Sequence, residues 1–77
     1  MNKKIEIAIA DTKNRIQWEQ ELIDRFTEDI REYAKTCTPE NMATFLPGKI
    51  RELDEAINRR KNYTEQLNML QFIQKDN

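Results

Sequence analysis

Histidine is missing from this 77-residue sequence, cysteine and glycine occur once each, and proline occurs twice. Each shortage excludes a class of chemistry. With no His and only Cys37, neither a zinc cage nor a Cys–His nucleophile can be assembled. A single thiol cannot close a disulfide within the chain. One glycine cannot build a glycine-rich phosphate loop, and no Ser-based catalytic motif is present, so a non-enzymatic role is expected, with no metal or cofactor. Long apolar runs are lacking, so no transmembrane helix is expected. An excess of either charge is also lacking. Charged residues make up 35% of the chain, yet the net charge is −1. A dedicated nucleic-acid-binding domain is usually strongly basic, and a polybasic membrane anchor more so. The opening "MNKKIEIAIADTK" begins with basic residues but has no apolar stretch of signal-peptide length. The free thiol then points to a reducing, cytoplasmic setting.

The helix breakers are few, and they are gathered in one place. Pro39, Pro47 and Gly48 all fall within "TCTPENMATFLPGK". On either side the chain is rich in Glu, Lys, Arg, Gln, Leu, Ile and Ala, mostly good helix formers. The pattern predicts an all-α fold: one domain over residues 1–77, with a first helix over about 3–35 and a connector over 36–48. Thr38 is a suitable N-cap and Pro39 a suitable first helical residue, so a short connector helix is expected over about 39–46. Pro47-Gly48 is expected to break or kink the chain before a second helix over about 49–74.

The first helix carries a heptad line without a slip: Ile5, Ile9, Thr12, Ile16, Glu19, Ile23, Phe26, Ile30, Tyr33 and Cys37. In the second helix Leu46, Ile50, Leu53 and Ile57 continue a seam. The pattern then drifts, with Arg60 and Thr64 in seam positions and Ala56, Tyr63, Leu67 and Leu70 on a face rotated slightly away. Two such helices fold back most simply as an antiparallel hairpin. A hairpin covers only one stripe of each helix. Ala8, Trp18, Leu22, Met69 and Phe72 lie off that stripe. Chains this short are marginal alone without disulfides, metals or oligomerisation. A homodimeric four-helix bundle or coiled coil is therefore expected, sharing the seam of Ile9, Ile16, Ile23, Phe26, Ile30, Ile50, Leu53, Ile57 and Leu67 between copies. Glu19 and Arg60 would form a polar pair on the seam that fixes register, within or between chains.

Candidate binding residues are few. Trp18, one turn before Leu22, is the strongest, because tryptophan is enriched in interface hot spots. It packs either in a self-interface or against another protein. Met69, Phe72 and Ile73 raise the same choice near the open end. The cluster "NRRKN" holds the only concentrated positive charge. Arg59 and Lys61, with Lys49, form an alternative nucleic-acid contact, and Tyr63 could stack on a base. Arg59, Arg60 and Lys61 fan around the helix and cannot all point one way. Asp24, Glu28, Asp29 and Glu32 lack the Glu-x-x-His pattern of a di-iron bundle and read as a solvated face.

The outline resembles small secreted helical hairpins with a Trp-X-Gly turn, but "FLPGK" has no Trp before its Gly. In size, composition and simplicity the chain looks like small all-helical accessory proteins of bacteriophages and mobile elements. That resemblance implies binding and blocking of a host protein. Together these readings predict a non-catalytic regulator, inhibitor or adaptor that binds itself and an unidentified protein partner sterically.

Overall fold

The computed structural model describes residues 2–76, for position 76 the backbone only. Two helices account for nearly all of them: α1, Lys3–Thr36, and α2, Pro39–Asp76. They pack against each other as an antiparallel hairpin measuring 57 × 14 × 13 Å. Among the described residues no helix is long and apolar enough to cross a membrane.

Local chemistry explains the ends. Asn2 caps α1, its side-chain oxygen accepting the backbone N–H of Lys4 at 3.0 Å. Cys37 leaves the helix in an extended conformation while its N–H donates to the Tyr33 carbonyl at 2.9 Å. Thr38 starts α2. Its hydroxyl accepts the Asn41 N–H at 3.2 Å and its carbonyl accepts the Met42 N–H at 2.9 Å. Pro39 follows as the first helical residue, where its missing N–H costs nothing.

The turn is therefore two residues, Cys37 and Thr38, and the expected break at Pro47-Gly48 does not occur. Residues 39–46 are the start of α2 rather than a separate connector helix. Thirty-eight residues rise about 57 Å at ~1.5 Å each, which matches the long dimension. Three features explain the continuity. Proline's fixed φ is itself helical, so the penalty lies in a lost hydrogen bond and crowding at the carbonyl four residues back. That carbonyl belongs to Ala43, which is exposed, as is Pro47. Gly48 does not use a positive φ, so nothing turns the chain away. Packing on both sides holds the segment: before it the Phe45 ring stacks on Tyr33 of α1, with centroids 6.1 Å apart, and Leu46 is partly covered, and after it Lys49 is partly covered.

The inward line of α1 follows the heptad. Ile9, Thr12, Glu19 and Ile23 are buried, and Ile5, Ile16, Phe26, Ile30, Tyr33 and Cys37 are half-buried. The inward line of α2 differs from the expected one. Met42, Leu46, Lys49, Leu53, Ala56, Arg60, Tyr63, Leu67 and Leu70 are its covered positions, and their spacing alternates four and three throughout. Ile50 and Ile57, expected on the seam, are exposed beside it; Lys49 and Ala56 take their places. The apparent drift is one of phase: the four-three line through Ile50 and Ile57 leaves Ala56, Tyr63 and Leu70 off it, whereas the line through Lys49 and Ala56 includes them. A lysine can occupy a seam by lying its stem along it, and Lys49 reaches Glu52 at 3.8 Å.

Register follows from the cross-helix partners. Glu19 with Arg59, Gln20 with Arg60, and Arg15 with Tyr63 carry numbers that sum to between 78 and 80. Ile23 is thus level with Ala56, and Leu22 with Ile57. An alanine opposite an isoleucine lets the helices approach, and Ala56 is completely covered. The core is thin, however. Among the described residues the buried apolar side chains are Ile9, Ile23 and Ala56, and no large one is fully enclosed.

Candidate functional site

A two-helix ribbon has two broad faces and two edges. Heptad position assigns Ala8, Trp18, Leu22 and Arg25 of α1 to the first face, with Phe45, Glu55, Arg59, Met69 and Ile73 of α2. The second face carries Gln20, Thr27 and Ala34 with Ile50 and Ile57. Ile7 and Phe72 lie on opposite edges.

The first face holds the most distinctive geometry. A groove of about 370 Å³ crosses both helices, lined by Asn14, Arg15, Trp18, Glu19, Arg59 and Tyr63. At its floor Glu19, 4% exposed, accepts from Arg59 Nε at 2.7 and 3.1 Å. The pair expected from the sequence was Glu19 with Arg60. Arg60 is half-buried but turns to the second face, where its Nη1 donates to the Gln20 side-chain oxygen at 2.6 Å. Arg59 sits one helical position back, on the Glu19 side. Two neighbouring arginines therefore straddle the seam, each tied to one of two neighbouring residues of α1. The bond to Glu19 raises the Arg59 pKa above its ordinary value.

Arg15 closes the groove. It donates to the Tyr63 hydroxyl at 3.3 Å, pairs with Asp11 at 3.1 Å, and its guanidinium stands 5.7 Å from the Tyr63 ring centroid. These bonds, the one to Tyr63 foremost, raise its pKa as well. Thr12 needs no cross-helix partner, because its hydroxyl donates to the Ala8 carbonyl at 2.7 Å. Among the described residues no buried side-chain polar atom lacks a partner.

Trp18 is 63% exposed at the rim of this groove. With Glu21, Leu22 and Arg25 it also lines a small adjoining depression. Met69 and Ile73 lie on the same face toward the open end, whereas Phe72 is on the edge; all three are exposed. The five candidate binding residues thus do not form one patch. Sequence reasoning missed Phe45, Ile7, Ile50 and Ile57 as exposed apolar residues. A four-three frame set by Ala56, Tyr63 and Leu70, rather than by Ile50 and Ile57, would have found the two isoleucines.

The basic cluster is divided. Arg59 is committed to Glu19 and Arg60 to Gln20, Lys61 is exposed, and Lys49 lies on the seam. These residues do not form a continuous basic surface. Among the described residues no group of three His, Cys, Asp or Glu side chains could hold a metal ion. Compared with protein-family models, curated proteins and solved structures, the chain matches none of them.

Proposed function

We propose that the chain is a non-catalytic interaction module that pairs with a second copy and binds a partner protein sterically, as a small regulator, inhibitor or adaptor. One observation carries this reading. Among the described residues eight large apolar residues are exposed, while three apolar residues are buried. A thin core with a rich apolar exterior is the signature of a surface completed by other molecules. Two long helices present that exterior rigidly, suiting a steric block of a partner's groove or working surface. A reducing cytoplasm is the setting that the free Cys37 favours.

The exposed apolar set spans both broad faces and both edges, more than one interface uses. Self-association and partner binding divide it between them. Trp18 and Leu22 anchor one of these two contacts, and Met69, Phe72 and Ile73 extend the apolar surface toward the open end. Hot-spot truncation typically costs ~2 kcal/mol or more, roughly 30-fold in affinity. The double variant Trp18→Ala/Leu22→Ala is expected to lose that much in dimer affinity or in affinity for a partner captured by the wild-type chain. Unchanged values for both, with helicity intact, would refute the assignment.

A further inference from the structure

We infer that a second copy of this chain covers the first broad face, antiparallel to the first, about a twofold axis passing through Leu22. This rests on the self-associating reading above and deepens it by naming the face and the orientation.

Area argues for an occupant of this size. The single chain exposes 6018 Å². A compact protein of 9.3 kDa exposes about 5,000 Å². The surplus of about 1,000 Å² per chain is what a standard interface removes, ~800 Å² from each partner.

Complementarity selects the face and direction. An axis through Leu22, level with Ile57, sets α1 across α1 and α2 across α2 of the copy. Leu22 then meets its own equivalent. Arg15 and Asp29, seven residues to either side of Leu22, face each other twice. Asp29 has no ion pair of its own among the described residues. On α2, Glu55 and Arg59 lie two residues to either side of Ile57 and also face each other twice. Glu55 likewise has no ion pair within the chain, and Arg59 is only partly engaged, with 44% of its side chain open. Phe45 and Met69 lie twelve residues to either side of Ile57, so these exposed apolar side chains cover one another. Trp18 falls beside Arg25 of the copy, in reach of a cation–π contact. The one like-charge approach is Asp11 to Glu32, and Asp11 already holds Arg15.

The alternatives fit less well. The same axis on the second face sets Asp54 against Arg60 but Lys13 against Arg31, and it covers two exposed large apolar residues, Ile50 and Ile57, against four on the first face, Trp18, Phe45, Met69 and Ile73. A parallel dimer on the first face lays α1 over α2 of the copy, setting Asp29 against Glu52 and Phe45 against Glu32. Like charges facing across an interface oppose association.

Cysteine cross-linking in a Cys37→Ala chain reads the axis directly. Leu22→Cys reports the first face and Ile57→Cys the second, since each lies at the level of the axis. The expected result is a dimer by sedimentation equilibrium that oxidises to a covalent dimer through L22C and not through I57C. Asp29→Arg is expected to weaken the dimer at least tenfold, and Arg15→Asp/Asp29→Arg to recover most of that loss, with helicity checked by circular dichroism. A monomer at every concentration would overturn both this inference and the self-associating reading. A dimer that cross-links through I57C instead, or a helical charge-swap variant that recovers nothing, would overturn the face and orientation alone.

Discussion

Removing Arg59 tests the polar layer; in the proposed dimer it also deletes the contact to Glu55 of the copy, so its effect is compared with that of Glu55→Gln, which deletes that contact alone. Glu19 is buried on the seam, and its carboxylate accepts both of its side-chain bonds from Arg59 Nε, at 2.7 and 3.1 Å. Arg59→Met keeps most of the stem and deletes the donor. Breaking a fully buried ion pair costs ~3–5 kcal/mol, because a charge is left without a partner. Here the arginine side chain is 44% exposed, so water can enter and replace part of what it supplied; about 1–3 kcal/mol is the discounted loss. For a domain of this size that corresponds to a fall of roughly 5–20 °C in the unfolding midpoint. Thermal and urea unfolding followed by circular dichroism at matched chain concentration would measure it. Matching matters because association shifts the apparent stability of a dimer. The double variant Glu19→Leu/Arg59→Met removes both charges and is expected to be neutral or stabilising. A loss below ~0.5 kcal/mol for Arg59→Met, the range of an ordinary surface substitution, would refute the claim that the layer is desolvated. If the double variant is more stable and still forms one homogeneous species, the pair does not set register.

Continuity through Pro47 is testable by removing the breakers. No neighbour lies within 4 Å of a Cβ added at Gly48, so Gly48→Ala should raise stability by about 0.5–1 kcal/mol. Pro47→Ala should raise it further, by up to ~3 kcal/mol; destabilisation by both substitutions in a urea titration would mean that α2 is broken there. Ala56→Leu forces a larger side chain into the completely covered position level with Ile23 and should cost about 1–3 kcal/mol. Ile50→Gln and Ile57→Gln, at exposed sites beside the seam, should each change stability by less than ~0.5 kcal/mol. A loss at Ile57 equal to that at Ala56, in the same assay, would return Ile57 to the seam.

The hairpin was legible because its signals are local and mutually consistent. The unbroken four-three spacing of α1 identified every covered residue on that seam, including the polar Thr12 and Glu19. Thr38 and Pro39 marked a helix start by capping chemistry alone, although the helix expected there was a short connector and it is the beginning of α2. What was not legible depended on tertiary support. Pro47-Gly48 reads as a break in any local scheme, and packing of Phe45, Leu46 and Lys49 along α1 overrides it. On α2 the larger apolar residues, Ile50 and Ile57, drew the seam one position aside, while a lysine and an alanine occupied it. The polar layer misled for a separate reason. Arg60 does stand on the seam, but it turns to Gln20, and Arg59 reaches Glu19 from the adjacent position, a choice that heptad spacing does not encode. Recognising Trp18 needed only its position off the heptad; its place beside the Glu19–Arg59 bridge required the fold.

The same rotation ties stability to function. Had Ile50 and Ile57 faced α1, the chain would bury more within itself and expose less. Instead, the completely covered seam position of α2 is given to an alanine, and isoleucines stand outside it. Folding a ribbon with so little enclosed apolar surface leaves the conformational entropy of 77 residues weakly opposed. The remaining apolar surface can offset that entropy only when another molecule covers it. Folding and association are therefore coupled in the proposed dimer, and the unfolding midpoint should rise with chain concentration. Trp18 and Met69 then contribute to stability through the copy rather than through their own hairpin, and Phe45 through both, since its ring also stacks on Tyr33. Dilution should reduce helicity as it dissociates the dimer. A concentration-independent midpoint in a chain that sediments as a monomer would show that the hairpin is stable alone, and that its apolar exterior serves other proteins only.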